Sequence, residues 1–337
     1  MTLDILFLTQ SGETLPSVRF RVLPLVADGS ARGLAVDWRP VPKFFLRRLF
    51  WLARLPRSTV VVVQKKLFST LELAVLRKRC DRLAFDYDDA LWAAHPGESP
   101  SPASTRRLRK ARKRFARMIP AVDVVLAASA HLAGEARKLR PEVVVAPTPI
   151  DTEVYTPPAS RPAPADGRPL VGWMGAAWEL SALGEVLKSL EPHSERLRLN
   201  VVAERRFAEK CRTLADLVAW SPEDEVALLR EMDIGLHPLD ADEYRRGKCG
   251  FRLLRCMACG VVPVASAVGV NLEIVEHGRD GFLVERPEQW AEYVLRLADD
   301  PGLRADMARQ AREKVERLYR RGVFAEHYWA ALGFLDE

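Results

Sequence analysis

A chain of 337 residues is long for one compact core and fits two domains of ordinary size. Hydrophobic residues at 48% and charged residues at 28% exclude a disordered or collagen-like chain and describe a globular composition. The formal net charge of +6 leaves three explanations open: nucleic acid, an anionic membrane surface, or solvated helix faces.

The opening MTLDILFLT carries Asp4 and lacks a basic flank and a small-residue cleavage site, so it reads as a first strand, not a signal peptide. No run approaches the ~18 apolar residues needed to span a bilayer. A polar loop, SGETLPS, and a helix over SVRFRVLPLVADG follow, then strands at AVDWRPV and STVVVVQ. A helix near Leu71 to Lys78, the strand RLAFDYD, a basic helix, DVVLAAS, another helix and EVVVAPT complete the first half. Near-continuous Val, Leu and Ile strands separated by helical segments predict an α/β fold with a parallel sheet covered on both faces. The stretch from Pro147 to Pro169 is dense in proline, cannot be a helix or central strand, and marks a linker. The alternation restarts at LVGWMG and continues through a helix from Ser181, LRLNVV, LVAW, a helix over EDEVALLREM and DIGLHPL. Three helical patterns, Gln289 to Ala298, Leu303 to Tyr319 and Val323 onward, close the chain. The expected organisation is a first domain over 1–149, a linker over 150–169 and a second domain over 170–318. Ligands in such sheets sit outside the carboxyl ends of the strands, which makes the space between two such domains the expected cleft.

Five cysteines (80, 211, 249, 256 and 259) are an odd, scattered set that suits a reducing cytoplasm better than a disulfide framework. Cys256 and Cys259 form a C-x-x-C within an apolar helical run, and no second ligand pair matches it, so they read as buried thiols. Six scattered histidines give no metal constellation. G-x-G-x-x-G is absent after the first strand, which leaves a nicotinamide or flavin cofactor without support, and P-loop, H-E-x-x-H and G-x-S-x-G motifs are also missing.

Basic residues concentrate in two places. Arg106 to Arg117 holds eight and no acid; Lys43 to Arg57 holds five, interleaved with Phe44, Phe45, Phe50 and Trp51. On a helix, Lys43, Arg47 and Arg54 share one side, a pattern that suits an interfacial helix; a core-facing helix with a basic outer side is the alternative. Without an aromatic stacking platform or recognition module, nucleic acid is not an expected partner.

The stretch Tyr244 to Val284 joins a glycine-bounded loop (Gly247 to Gly250) to an apolar helical run from Phe251 to Cys259, a stop at Gly260, the strand VVPVAS and a second glycine turn at Gly269. A glycine loop feeding a helix N-terminus offers backbone N–H groups and a positive dipole end to an anion. Lys248 and Arg252 add full charges there, so the loop is either a pyrophosphate cradle or an ordinary βα loop with solvated basic residues.

Taken together, VGWMG, DIGLHPL and GKCGFRLLRCMACGVVPVASAVGVNLEIVEHGRDGFLV resemble the retaining glycosyltransferases of family four, of GT-B fold, in particular a bacterial subgroup with a G-K-C-G loop. PTPIDTEVYTPP resembles that family's interdomain segment and FDYDDALW one of its N-domain motifs, so the resemblance spans nearly the whole chain. It implies a nucleoside-diphosphate-sugar donor on the second domain, a glycan, lipid-linked or small-molecule acceptor on the first, retention of configuration, no metal or cofactor, and a last helix, 319–337, packed back on the first domain. It implies that Lys248 and Arg252 stabilise the leaving diphosphate. Donor contacts fall on Gly12, Arg19, Gly175, Ala176, Gly247, Cys249, Gly250, Phe251, Arg255 and Glu273, with the loop Ala176-Ala177-Trp178 bordering the donor. The acceptor side falls on Arg21, Gln64, Lys65, Asp86, Asp88 and Asp89. Gly247 and Arg255 stand where the wider family has two glutamates; Arg255 can only donate to a ribose diol, so the ribose is held differently, Arg255 meets another group, or it marks a weakened or non-catalytic member. Arg205 and Arg206 fall near an Arg and Lys pair of the family, or are solvated helix-start residues. Read from the residues alone, the Asp86, Asp88 and Asp89 cluster binds acceptor hydroxyls, supplies a base, or forms a helix cap and salt bridge. Glu273 is either a ligand contact or a helix-start glutamate favoured by the dipole. Of Arg19 and Arg21, one is expected to be structural. A nucleotide-sugar epimerase and a non-catalytic nucleotide-sugar-binding protein are the alternative readings.

Overall fold

The computed structural model describes residues 2–160, 166–176, 179–204 and 215–335. The chain divides into two compact units: Met1–Pro149 with Arg246–Cys249 and Arg321–Glu337, and Ile150–Arg245 with Gly250–Arg320.

The first unit is built on six parallel strands, β1 (Leu3–Thr9), β2 (Val36–Pro40), β3 (Ser58–Gln64), β4 (Cys80–Tyr87), β5 (Val124–Ala127) and β6 (Val144–Val145), in the order β2-β1-β3-β4-β5-β6. β3 is apolar over nearly its whole length because both its faces are covered; Val60 to Val63 are at most 1% exposed. One face carries helices α2 (Phe45–Leu52), α3 (Thr70–Arg77), α4 (Pro102–Met118) and α5 (Ala130–Arg137), which bury Leu52, Leu76, Phe115 and Leu132 against the sheet. The other face carries α1 (Leu23–Ala31) and the helix Arg321–Leu332, whose Tyr328 and Trp329 pack on Phe7 of β1. Ser69 starts α3 and Ser101 starts α4 with reciprocal capping boxes, through Glu72 and Ser104 respectively. Between the first loop and α1 the residues Val18–Val22 form a π-helical turn rather than the plain helix that SVRFRV predicts.

The second unit repeats the plan with β7 (Leu170–Met174), β8 (Arg198–Ala203), β9 (Asp216–Ala219), β10 (Ile234–His237), β11 (Val262–Ser266) and β12 (Phe282–Val284), ordered β12-β11-β10-β7-β8-β9. The strand order reverses between β7 and β10, and in the first unit between β1 and β3. These switch points are where a doubly wound sheet leaves a crevice for a ligand at its carboxyl edge.

Candidate functional site

In the second unit the carboxyl ends of β7 and β10 are met by the first turn of the helix Phe251–Ala258. Gly250, its N-cap, has φ +69°, and no side chain caps the helix. A Cβ there would lie 2.3 Å from Ile274 and 3.0 Å from Val270, so glycine is required both by the backbone and by the packing of the short helix Asn271–Ile274. Arg252 reaches back over the end of β7: one guanidinium nitrogen lies 2.8 Å from Glu179 and 3.5 Å from the Met174 carbonyl. A Cβ on Gly175 would come within 2.4 Å of that guanidinium and of Trp173. Glu179 in turn accepts the Ala176 N–H at 3.1 Å. Gly175, Ala176, Gly250 and Arg252 therefore belong to one structured edge at the topological switch. Glu273 stands exposed on Asn271–Ile274, beside the same edge. Ala177, Trp178, Arg205, Arg206 and Cys211 lie outside the described residues.

His237 closes β10 beneath this edge. It is buried, its Nε2 has no hydrogen-bond partner, and burial together with the charges of Arg252 and Arg255 lowers its pKa to about 3. The folded state thus holds a neutral imidazole where the unfolded chain takes up a proton near 6.5. Stability is retained above that pH and falls as pH drops from 6.5 towards 3, by up to about 1.4 kcal/mol per pH unit. Thermal unfolding at pH 7 and at about pH 4.5 should show a larger loss for the wild type than for His237→Gln; equal losses would assign the acid sensitivity elsewhere.

Arg255 does not face this edge freely. Its guanidinium is ion-paired with Glu225 and lies 5.2 Å from the Phe251 ring. Glu225 also accepts from Tyr155 Oη at 2.6 Å and Trp220 Nε1 at 3.0 Å. Burial pushes the Glu225 carboxyl up, but Arg255 more than reverses this and holds it below its usual value. Arg255, expected to contact the donor, is placed as a charge partner that ties the helix Phe251–Ala258 to Glu225 and the stretch around Tyr155. The physical reason is that a guanidinium in the interior must meet a carboxylate. Cys256 and Cys259 are buried, and burial pushes the Cys256 thiol up to about 12, as befits packing residues.

In the first unit the carboxyl ends of β1, β3 and β4 gather a second charged cluster. Lys65, in the left-handed region at φ +59°, places Nζ 3.2 Å from Ser17 Oγ, 3.0 Å from Asp88 and in contact with Asp89. A lysine held in αL beside a strand end is the kind of strain found at functional sites. Lys248 joins it, with Nζ 3.2 Å from Asp89. Burial pushes Asp89 up, and Lys248 and Lys65 overcome it to hold the carboxylate below its usual range. Gly247 packs so closely on Ala90 that a Cβ would lie 2.5 Å from its methyl, and Cys249 rests against the apolar cluster of this unit. The segment expected in the second domain over 170–318 is thus interrupted at Arg246–Cys249.

Arg21 and Asp86, expected on the acceptor side, face each other in the interior: Arg21 is 0% and Asp86 1% exposed. Arg21 forks onto Asp86 at 2.5 and 3.2 Å and donates to the Ala146 carbonyl at 2.8 Å and Thr148 Oγ1 at 3.1 Å. Of the two arginines in the π-helical turn, Arg21 is the structural one, and Arg19 is exposed over Phe20. Gln64 is fully buried at the end of β3 with neither amide atom hydrogen-bonded. Gly12 has open space where a side chain would stand. Sequence reasoning missed Glu179 and Glu225; both are helix-start acids with nothing in their local pattern to mark a distant arginine. Among the described residues no group of three or more His, Cys, Asp or Glu is placed to hold a metal ion, and no helix is long and apolar enough to cross a membrane.

Comparison with known proteins places this architecture in a class. Residues 168–300 match the family of glycosyl transferases group 1. Over essentially the whole chain the fold is the two-domain α/β fold of GT-B glycosyltransferases. The Anabaena protein HepE, solved in complex with UDP, superposes with a TM-score of 0.69 at 16% identity, covering 99% of this chain and 100% of that one. Sucrose-phosphate synthase from Thermosynechococcus elongatus gives 0.72 at 14% identity over 96% of each chain. Among curated proteins, a D-inositol 3-phosphate glycosyltransferase of Pseudarthrobacter chlorophenolicus is 33% identical over 101 residues, 29% of this chain and 21% of that protein. A GDP-Man:Man(3)GlcNAc(2)-PP-Dol alpha-1,2-mannosyltransferase of Dictyostelium discoideum is 30% identical over 92 residues, 27% of this chain and 17% of that protein. The chain thus spans about a fifth of the length of these curated relatives.

Proposed function

We propose that this protein is a glycosyltransferase that moves a sugar from a nucleoside-diphosphate-sugar to a glycan, lipid-linked or small-molecule acceptor with retention of configuration. The observation that carries the reading is the edge of the second sheet. There a cation, Arg252, an αL glycine opening a helix, and a glycine that clears the strand end converge within the part of the chain that matches glycosyl transferases group 1. Such an edge suits a diphosphate, whose negative charge increases as the sugar departs. Arg252 and Lys248 are the cations assigned to that charge. Gly12, Arg19, Gly175, Ala176, Gly247, Cys249, Gly250, Phe251 and Glu273 are assigned to the donor. Gln64, Lys65, Asp88 and Asp89 are assigned to the acceptor. The donor β-phosphate oxygen takes the acceptor proton in a front-face displacement, so the scheme calls for neither a protein nucleophile nor a metal or cofactor. The reading places the protein in the cytoplasm, at the inner face of the membrane where lipid-linked acceptors of cell-surface polysaccharide synthesis lie.

The test is a panel of nucleoside-diphosphate-sugars read by released nucleoside diphosphate, with and without candidate acceptors. Acceptor-dependent release from one donor class is expected. Turnover of a donor to its epimer without any acceptor would replace this reading with an epimerase.

A further inference from the structure

We propose that the face of the first unit carrying α2 and α4 is a docking surface for an anionic lipid bilayer. The inference deepens the reading above by naming a surface for its membrane partner, and its test needs neither donor nor acceptor. Four large apolar side chains stand in solvent along α2 and its N-cap: Phe44 is 75% exposed, Phe45 42%, Leu46 78% and Phe50 60%. Scattered exposed apolar residues are ordinary, but four along one eight-residue helix and its cap are a concentration of the kind that marks an interaction site.

The helix is not loosely attached. Its inner side is fixed by buried Leu52 and by Arg48, which pairs with Glu72 of α3 and donates to the carbonyls of Pro42 at 3.0 Å and Lys43 at 2.8 Å. The apolar residues are therefore turned outward by a firm anchor. Lys43, Arg47 and Arg54, on or beside the same helix, are exposed as well, and the Arg54 guanidinium sits 3.6 Å from the Phe50 ring centroid. Apolar bodies accompanied by cations match the boundary between acyl chains and anionic headgroups.

Charge complementarity extends beyond α2. Pro102–Met118 contains eight basic residues and no acid, more positive charge than the +6 of the whole chain. α2 and α4 both pack against α3, so the apolar stripe and the basic helix cover the same side of the sheet. Leu71 of α3, 53% exposed, adds to that side. A nucleic-acid surface would account for α4 but not for Leu46, the most exposed of the four, which has no ring to stack on a base.

Flotation with phosphatidylcholine vesicles, with and without phosphatidylserine, tests the assignment. The wild type should float with the anionic vesicles at low ionic strength and progressively less as salt is added. A Phe44→Ser/Leu46→Ser/Phe50→Ser variant should partition at least tenfold less, as should Arg106→Glu/Lys110→Glu/Lys113→Glu. Both should keep the wild-type thermal midpoint, because all six side chains lie on the surface. Absence of flotation at low ionic strength would overturn the proposal. So would wild-type partitioning of the triple serine variant, or binding of single-stranded RNA by the wild type without any binding of vesicles.

Discussion

Asp86→Ala is expected to destabilise the first unit by roughly 3–5 kcal/mol, the cost of leaving one partner of a buried ion pair without the other. Arg21 is fully buried, and two of its four hydrogen bonds go to Asp86. Without the carboxylate the guanidinium keeps only the Ala146 carbonyl and the Thr148 hydroxyl. Burial alone would lower the Arg21 pKa, and the pairing with Asp86 more than reverses that. Because a domain's whole stability is about 5–15 kcal/mol, such a loss removes a large fraction of it and should lower the thermal midpoint by many degrees. An apolar pair, Arg21→Met/Asp86→Leu, should recover most of the loss, since it removes both charges from the interior. Urea unfolding of the three proteins measures this; a shift below about 1 kcal/mol for Asp86→Ala would contradict the placement of the pair.

The second large effect concerns turnover. Arg252→Ala and Lys248→Ala should each lower kcat by roughly 10²–10³, the range for removing one preorganised group from a developing anion. Folding should change little for Lys248→Ala, because Asp89 keeps its contact with Lys65. Arg252→Ala leaves Glu179 with the Ala176 N–H as a remaining partner, so its stability loss should also be modest. A variant that transfers sugar at the wild-type rate would remove that residue from the phosphate role.

The strands were the most readable part of this chain. STVVVVQ coincides with β3, and LVGWMG contains β7, because a strand buried on both faces has to be apolar throughout. β12 is only three residues long and exists by pairing with β11, so it leaves no alternation to read. The π-helical turn at Val18–Val22 was equally hidden, since no propensity separates it from an α-helix; it lies where Arg21 turns inward to Asp86. Lys248, Gly250 and Arg252 stood out as a glycine loop with positive charge entering a helix, a pattern that an ordinary βα loop shares. Arg255 was singled out for its chemistry, but its role depends on Glu225, thirty positions earlier, and on Tyr155 and Trp220 around that carboxylate. The same holds for Arg252 and Glu179: the cation was legible and the carboxylate that orients it was not. Pairings between distant helix starts are decided by tertiary packing, and no local pattern carries them.

Calorimetric titration of UDP, GDP, ADP, CDP and dTDP into the wild type and Arg252→Ala tests the central claim most directly, because it needs no acceptor. One diphosphate should bind the wild type, with affinity reduced at least tenfold in the variant, about 1.4 kcal/mol or more. If no diphosphate binds, or if Arg252→Ala binds as tightly as the wild type, the edge of the second sheet is not a diphosphate site.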